Sequence, residues 1–146
     1  MKLLITIRKE TNVTKYLDYE ETVTIANKFK DARETVTSDP MTAANIVVGI
    51  IGLFAPAIGP LLTIGAVGVG LEQFIFSNDF SVQEDFYRYL QDLLGEDKYK
   101  KAEIKQEYVY RVIKTFGDHF EGWYLNSNKP TLIGLQCTNG LWIKYE

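Results

Sequence analysis

Residues 40–71 read PMTAANIVVGIIGLFAPAIGPLLTIGAVGVGL, 32 consecutive positions without a charged side chain, bracketed by Asp39 and Glu72. As one helix the run would extend about 48 Å, and about 20 apolar residues suffice to cross a bilayer. It does not read as one helix, because Pro56, Gly59 and Pro60 fall within six residues and would break or kink it there. Two short helical arms meeting at a turn are expected instead. On the first arm Asn45, Gly49, Gly52 and Pro56 follow one another at steps of four, three and four, and Gly59, Thr63, Ala66 and Gly70 repeat those steps on the second. Each arm therefore carries a narrow stripe of small residues flanked by Ile, Val, Leu and Phe. Such stripes let helix backbones approach closely in lipid and in dense cores, so an antiparallel hairpin packed stripe to stripe is expected. A helical glycine costs about 1 kcal/mol relative to alanine, which close packing has to offset. A barrel-type β-hairpin is the competing geometry, but the arms lack the required apolar/polar alternation.

Working outward, residues 2–8 alternate and predict a strand. Residues 20–37 place Ile25, Phe29, Ala32 and Val36 at helical spacing. Asp39 suits the cap of the next helix and Pro40 its first position. Beyond Glu72, Ser81 with Glu84 resembles a capping box, with Val82, Phe86, Leu90 and Leu93 as one apolar face and Gly95 as the stop. Residues 99–116 are expected to form a further amphipathic helix, with Ala102, Val109, Ile113 and Phe116 inward. The tail predicts a β-meander of strands 120–125, 131–137 and 141–145, with Asn139-Gly140 as a hairpin turn. Trp123, Tyr124, Trp142 and Tyr145 crowd these strands. Alternation puts Trp142 on one face with Lys144, and an exposed remainder of these aromatics would anchor a partner or a membrane interface.

The 146 residues suit a single domain, 1–146, with the apolar hairpin in 40–76 and the meander in 119–146. The expected fold is α+β: four to five helices, including a central Gly-rich apolar helical hairpin that the amphipathic helices surround, with a small antiparallel sheet from the N-terminal strand and the C-terminal meander. The net charge of −3 argues against a general nucleic-acid binder. Cys137 is the one cysteine, so no internal disulfide and no CxxC metal or redox motif arises. The start, MKLLITIRKE, has too few apolar residues before Arg8 and Lys9 for a secretory leader. The expected location is therefore cytoplasmic at synthesis, peripheral or inserted at a membrane thereafter.

Charge is segregated downstream. Seven acids lie between Glu72 and Asp97 against Arg88 alone, followed by Lys98, Lys100, Lys101, Lys105, Arg111 and Lys114 against Glu103 and Glu107. Two solvated helix faces that attract one another account for this simply. A sharper expectation is that Lys98, Lys101 and Lys105, with Tyr99, Tyr108 and Tyr110, meet an anionic surface. His119 and Cys137 are each alone of their kind, and the glycines of 65–70 lack the order of a dinucleotide loop. No catalytic residue, cofactor or metal is expected.

The function expected is non-enzymatic membrane association or perturbation through the hairpin. Contact residues are Gly49, Gly52, Phe54, Pro56, Gly59, Pro60, Ala66 and Gly70. The alternative is a soluble interaction or assembly protein, of virion, immunity or inhibitor type, with the hairpin as core or oligomer interface. The partner is thus a lipid membrane, another protein or a second copy of the chain.

Overall fold

The computed structural model describes residues 4–36, 38–39, 42–43, 45–46, 49–50, 52, 77–115, 118–125 and 129–145. In chain order the elements are β1 (Leu4–Leu17), α1 (Tyr19–Thr35), α2 (Ser77–Leu94), β2 (Tyr99–Thr115), β3 (Asp118–Leu125), β4 (Thr131–Cys137) and β5 (Trp142–Lys144). They make an α+β fold, two helices with a five-stranded antiparallel sheet.

β2 organises the sheet. On one side it pairs with β1 from Leu17↔Ala102 to Leu4↔Lys114, with a bulge between Ile7 and Lys9. Its other side is shared: β4 pairs with Tyr99–Lys105 and β3 with Tyr108–Thr115. β3 and β4 thus lie end to end along β2, which replaces the expected meander. β2 and β3, consecutive in the chain, pair antiparallel up to Thr115↔Asp118, and β4 and β5 form a second hairpin, closed by Gly140 N–H donating to the Cys137 carbonyl at 2.9 Å. Gly140 has φ +93°, a conformation open to glycine and strained for other residues.

The largest correction concerns 99–116, expected as a helix. Tyr99–Thr115 is the central strand. Ala102, Ile104, Gln106 and Tyr108 are buried on one face, while Lys101 and Lys105 are exposed on the other. The buried Gln106 interrupts the apolar half of this alternation, and the period of two is hidden in the sequence for that reason. β-branched and aromatic residues then favour the extended form, since they pack well on a pleated, half-buried surface. β1 likewise continues past Arg8 to Leu17, because exposed Asn12, Thr14 and Tyr16 alternate with half-buried Thr11, Val13 and Lys15.

α1 follows the expected helical spacing and begins with a cap that the expectation did not include. Asp18 Oδ1 accepts the Glu21 N–H at 2.8 Å and Glu21 Oε1 accepts the Asp18 N–H at 3.2 Å, a reciprocal cap. Ile25, Phe29, Ala32 and Val36 are buried as expected. α2 is already helical at Ser77, so Ser81 lies inside it and is not a cap. Glu84 instead crosses to α1: its Oε1 accepts from Arg33 Nε at 2.8 Å, and its Oε2 lies 3.6 Å from Arg88 Nε. Val82 of the expected apolar face is 38% exposed, and Phe80, Gln83, Phe86, Tyr87, Leu90 and Leu94 are buried. Phe29 stacks on Tyr87 with centroids 5.8 Å apart, α1 packs on α2, and α2 packs on β2. The core therefore lies between the helix pair and one face of the sheet.

Four to five helices were expected; besides α1 and α2, the described Thr42, Ala43, Asn45, Ile46, Gly49, Ile50 and Gly52 are each helical. Asp39 caps them as its position predicts, accepting the Thr42 N–H at 3.1 Å.

Candidate functional site

The helical residues of the first arm divide into two stripes. Ala43 and Ile50 are completely buried and Ile46 packs against the same core, at steps of three and four. Asn45 and Gly49 are exposed and Gly52 is half-buried, on a second stripe about 120° round the helix. A Cβ built at Gly49 meets no heavy atom within 4 Å. The aliphatic side of this arm is thus held by the protein core, and its small side is turned away from it. Phe54, Pro56, Gly59, Pro60, Ala66 and Gly70 lie outside the described residues, as does the pairing of the two arms. Among the described residues no helix is long and apolar enough to cross a membrane.

The lysines expected at an anionic surface take other positions than a helix would give them. Lys98 lies in the turn before β2, its Nζ 5.3 Å from the centroid of the Tyr99 ring. Lys101 and Lys105 are exposed on the solvent face of the sheet, where they alternate with Glu103 and Glu107. Tyr108 is on the opposite face and fully buried, and Tyr110 packs edge-on against Trp123 at 5.4 Å. A strand sends alternate side chains to opposite faces, so the expected basic face shared with these tyrosines does not form.

That solvent face does gather other groups. Trp142 and Tyr16 stand there in edge-to-face contact, 5.3 Å between centroids. The Glu103 carboxylate faces the Tyr16 hydroxyl, and its pull on that proton together with its negative charge raises the phenol pKa above its ordinary value. A hollow of about 390 Å³ is lined by Tyr16, Glu103, Ile133, Gly134, Trp142, Ile143 and Lys144. The pairing of Trp142 with Lys144 was legible from alternation, whereas Tyr16 and Glu103 were not, because the expected N-terminal strand stops at residue 8 and 99–116 is expected as a helix. A second hollow of about 520 Å³ lies between α2 and β4, where the Tyr89 and Tyr145 hydroxyls share a hydrogen bond.

His119 belongs to β3, opposite Lys114 of β2, while Cys137 is opposite Tyr99. Fifteen residues of strand separate those partners, about 50 Å, so the two cannot act as a dyad. Among the described residues no group of three or more His, Cys, Asp or Glu side chains could hold a metal ion. No protein-family model, curated protein or solved structure matches the chain.

Proposed function

We propose that this chain is a non-enzymatic protein that acts through its uncharged run, by associating with a membrane. The observation that carries this reading is the two-sided first arm: Ala43 and Ile50 are wholly buried, while the small stripe at Asn45 and Gly49 faces outward. Thirty-two residues without a charge have no polar side from which to prefer water, so a surface of lipid lowers their free energy once the arm is released. Helical arms of about 15 Å are shorter than the roughly 30 Å hydrocarbon layer, so the inserted form is a shallow hairpin in one leaflet. The α1–α2 pair flanks the run in sequence, the two helices joined by Arg33 to Glu84 and by Arg88 donating to Asn27 Oδ1.

Flotation of the purified protein with anionic and with neutral liposomes, with and without acidification, tests the proposal. The protein is expected to float. A variant with Gly49, Gly52, Ala66 and Gly70 all changed to leucine should fold and fail to float. A protein that stays in the soluble fraction under every condition sinks the proposal.

The same burial of Ala43 and Ile50 also favours a second reading, in which the run is core or a subunit interface of a soluble assembly. It predicts one monodisperse species without detergent and slow amide exchange across 42–52; rapid exchange there would count against it.

A further inference from the structure

The solvent face of the sheet carries an arrangement that the core does not require. Four strands contribute one cross-strand row: Tyr16 of β1, Glu103 of β2, Gly134 of β4 and Lys144 of β5. β1 and β5 are three strand spacings apart, about 14 Å. The Tyr16 and Trp142 rings nevertheless meet at 5.3 Å, so both lean inward across the two intervening strands. Tyr16 is 52% and Trp142 42% exposed, two large rings held together in water. Gly134 keeps the space beneath them open: a Cβ there would sit 3.0 Å from the Ile143 carbonyl oxygen and 3.8 Å from Glu103 Oε1. The hollow of about 390 Å³ falls within the range of small-molecule sites.

The lining chemistry is specific. The rings supply flat apolar surface, the Glu103 carboxylate accepts hydrogen bonds, and the Lys144 ammonium only donates them. Tyr16 stands directly opposite Glu103 across the β1–β2 pair, on the same hollow. Glu103 and Lys144 oppose each other in charge, so a bare cation meets Lys144 and a bare anion meets Glu103. Lys101 and Lys105 flank Glu103 along β2 but do not line the hollow. An uncharged ligand with an apolar flank to lie on an aromatic ring, and with hydroxyls that both donate and accept, satisfies every group. We propose that this groove binds a neutral saccharide, one pyranose ring resting on Trp142 and Tyr16 with its hydroxyls shared between Glu103 and Lys144. The site stands independently of the membrane reading.

The test is titration of the full chain with maltose, lactose and N,N′-diacetylchitobiose, followed by saturation-transfer NMR and by indole emission in a Trp123→Phe background. At least one sugar should bind, and Trp142→Ala and Glu103→Gln should each weaken it about tenfold, the effect of one aromatic or charge-assisted contact. Both positions reach solvent, and unchanged circular dichroism will show that the variants remain folded. No binding by any of the three sugars, or undiminished binding in Trp142→Ala, overturns the proposal. Tighter binding of tetramethylammonium or of sulfate than of the sugars overturns it equally. Neutral vesicles with and without lactosylceramide separate a glycolipid source from a soluble glycan. Capture that requires both the glycolipid and Trp142 assigns the sugar to a membrane, and Trp142-dependent binding of free lactose alone assigns it to solution. Flotation on plain vesicles that survives Trp142→Ala keeps this site distinct from the apolar run.

Discussion

Replacing Ile104 with alanine separates the strand from the helix that the sequence first suggests. Ile104 is fully buried in β2, paired with Lys15 on one side and Leu132 on the other, on the face it shares with Ala102 and Tyr108. The truncation removes three carbons, roughly 2.4 kcal/mol at about 0.8 kcal/mol per buried methylene. The central strand cannot close fully around the vacated space, and the residual cavity brings the loss to about 3–4 kcal/mol. Were 99–116 a helix with Ala102, Val109 and Ile113 inward, Ile104 would lie off that stripe. Alanine would then raise helix propensity by a few tenths of a kcal/mol, roughly the difference between the two residues. The two arrangements therefore predict effects of opposite sign. Equilibrium urea unfolding, followed by circular dichroism and tryptophan emission, measures the difference, and a loss of about 3 kcal/mol lowers the melting temperature by about 10 °C for a chain of this length. Ile104→Val serves as a milder companion, expected to lose about 1 kcal/mol. A loss in Ile104→Ala below about 1 kcal/mol, or any gain, refutes the placement of this residue in the core.

Two further outcomes follow from local chemistry. Asp18→Ala removes one half of the reciprocal cap on α1 and should lower stability by about 1 kcal/mol in the same urea assay; an unchanged midpoint would mean that Glu21 alone, or water, satisfies those amides. Burial raises the pKa of Tyr87, with the adjacent Tyr108 phenol adding to it, and burial likewise raises that of Tyr108. Their folded values lie above the unfolded one near 10. Their contribution is thus fully present below about pH 10 and declines above it, by up to about 1.4 kcal/mol per pH unit for each phenol. Absorbance titration near the phenolate band should show two of the nine tyrosines ionising only as the chain unfolds in alkali. Reversible ionisation of all nine in the folded state would contradict their burial.

The parts of the fold legible in the sequence are those governed by near neighbours. The stripe Ile25–Phe29–Ala32 defines α1 within its own turns, Asp39 caps the helical residues that follow, and Gly95 stands just past the last residue of α2. Thr131–Cys137 and the Gly140 turn were legible for the same reason, since alternation and the demand for positive φ act over two or three residues. The saccharide groove was half legible. Alternation places Trp142 beside Lys144, but Tyr16 and Glu103 reach them only through three pairings between strands distant in sequence.

By itself the sequence determined the α+β class, the uncharged stretch between two helices, and the Gly95 stop of the second, because each rests on local propensity, capping or the plain absence of charge. Tertiary structure alone decided that Tyr99–Thr115 is a strand, that it serves β1 on one side and both β3 and β4 on the other, and that Lys101 and Lys105 belong to a mixed-charge sheet face. A segment mixing Lys, Glu and Gln with Ile, Val and Tyr suits helix and strand almost equally by itself. What tips the balance is the ladder to β1 and the burial of Ala102, Ile104 and Tyr108 under α1 and α2, contacts that exist only once elements far apart in the chain have met.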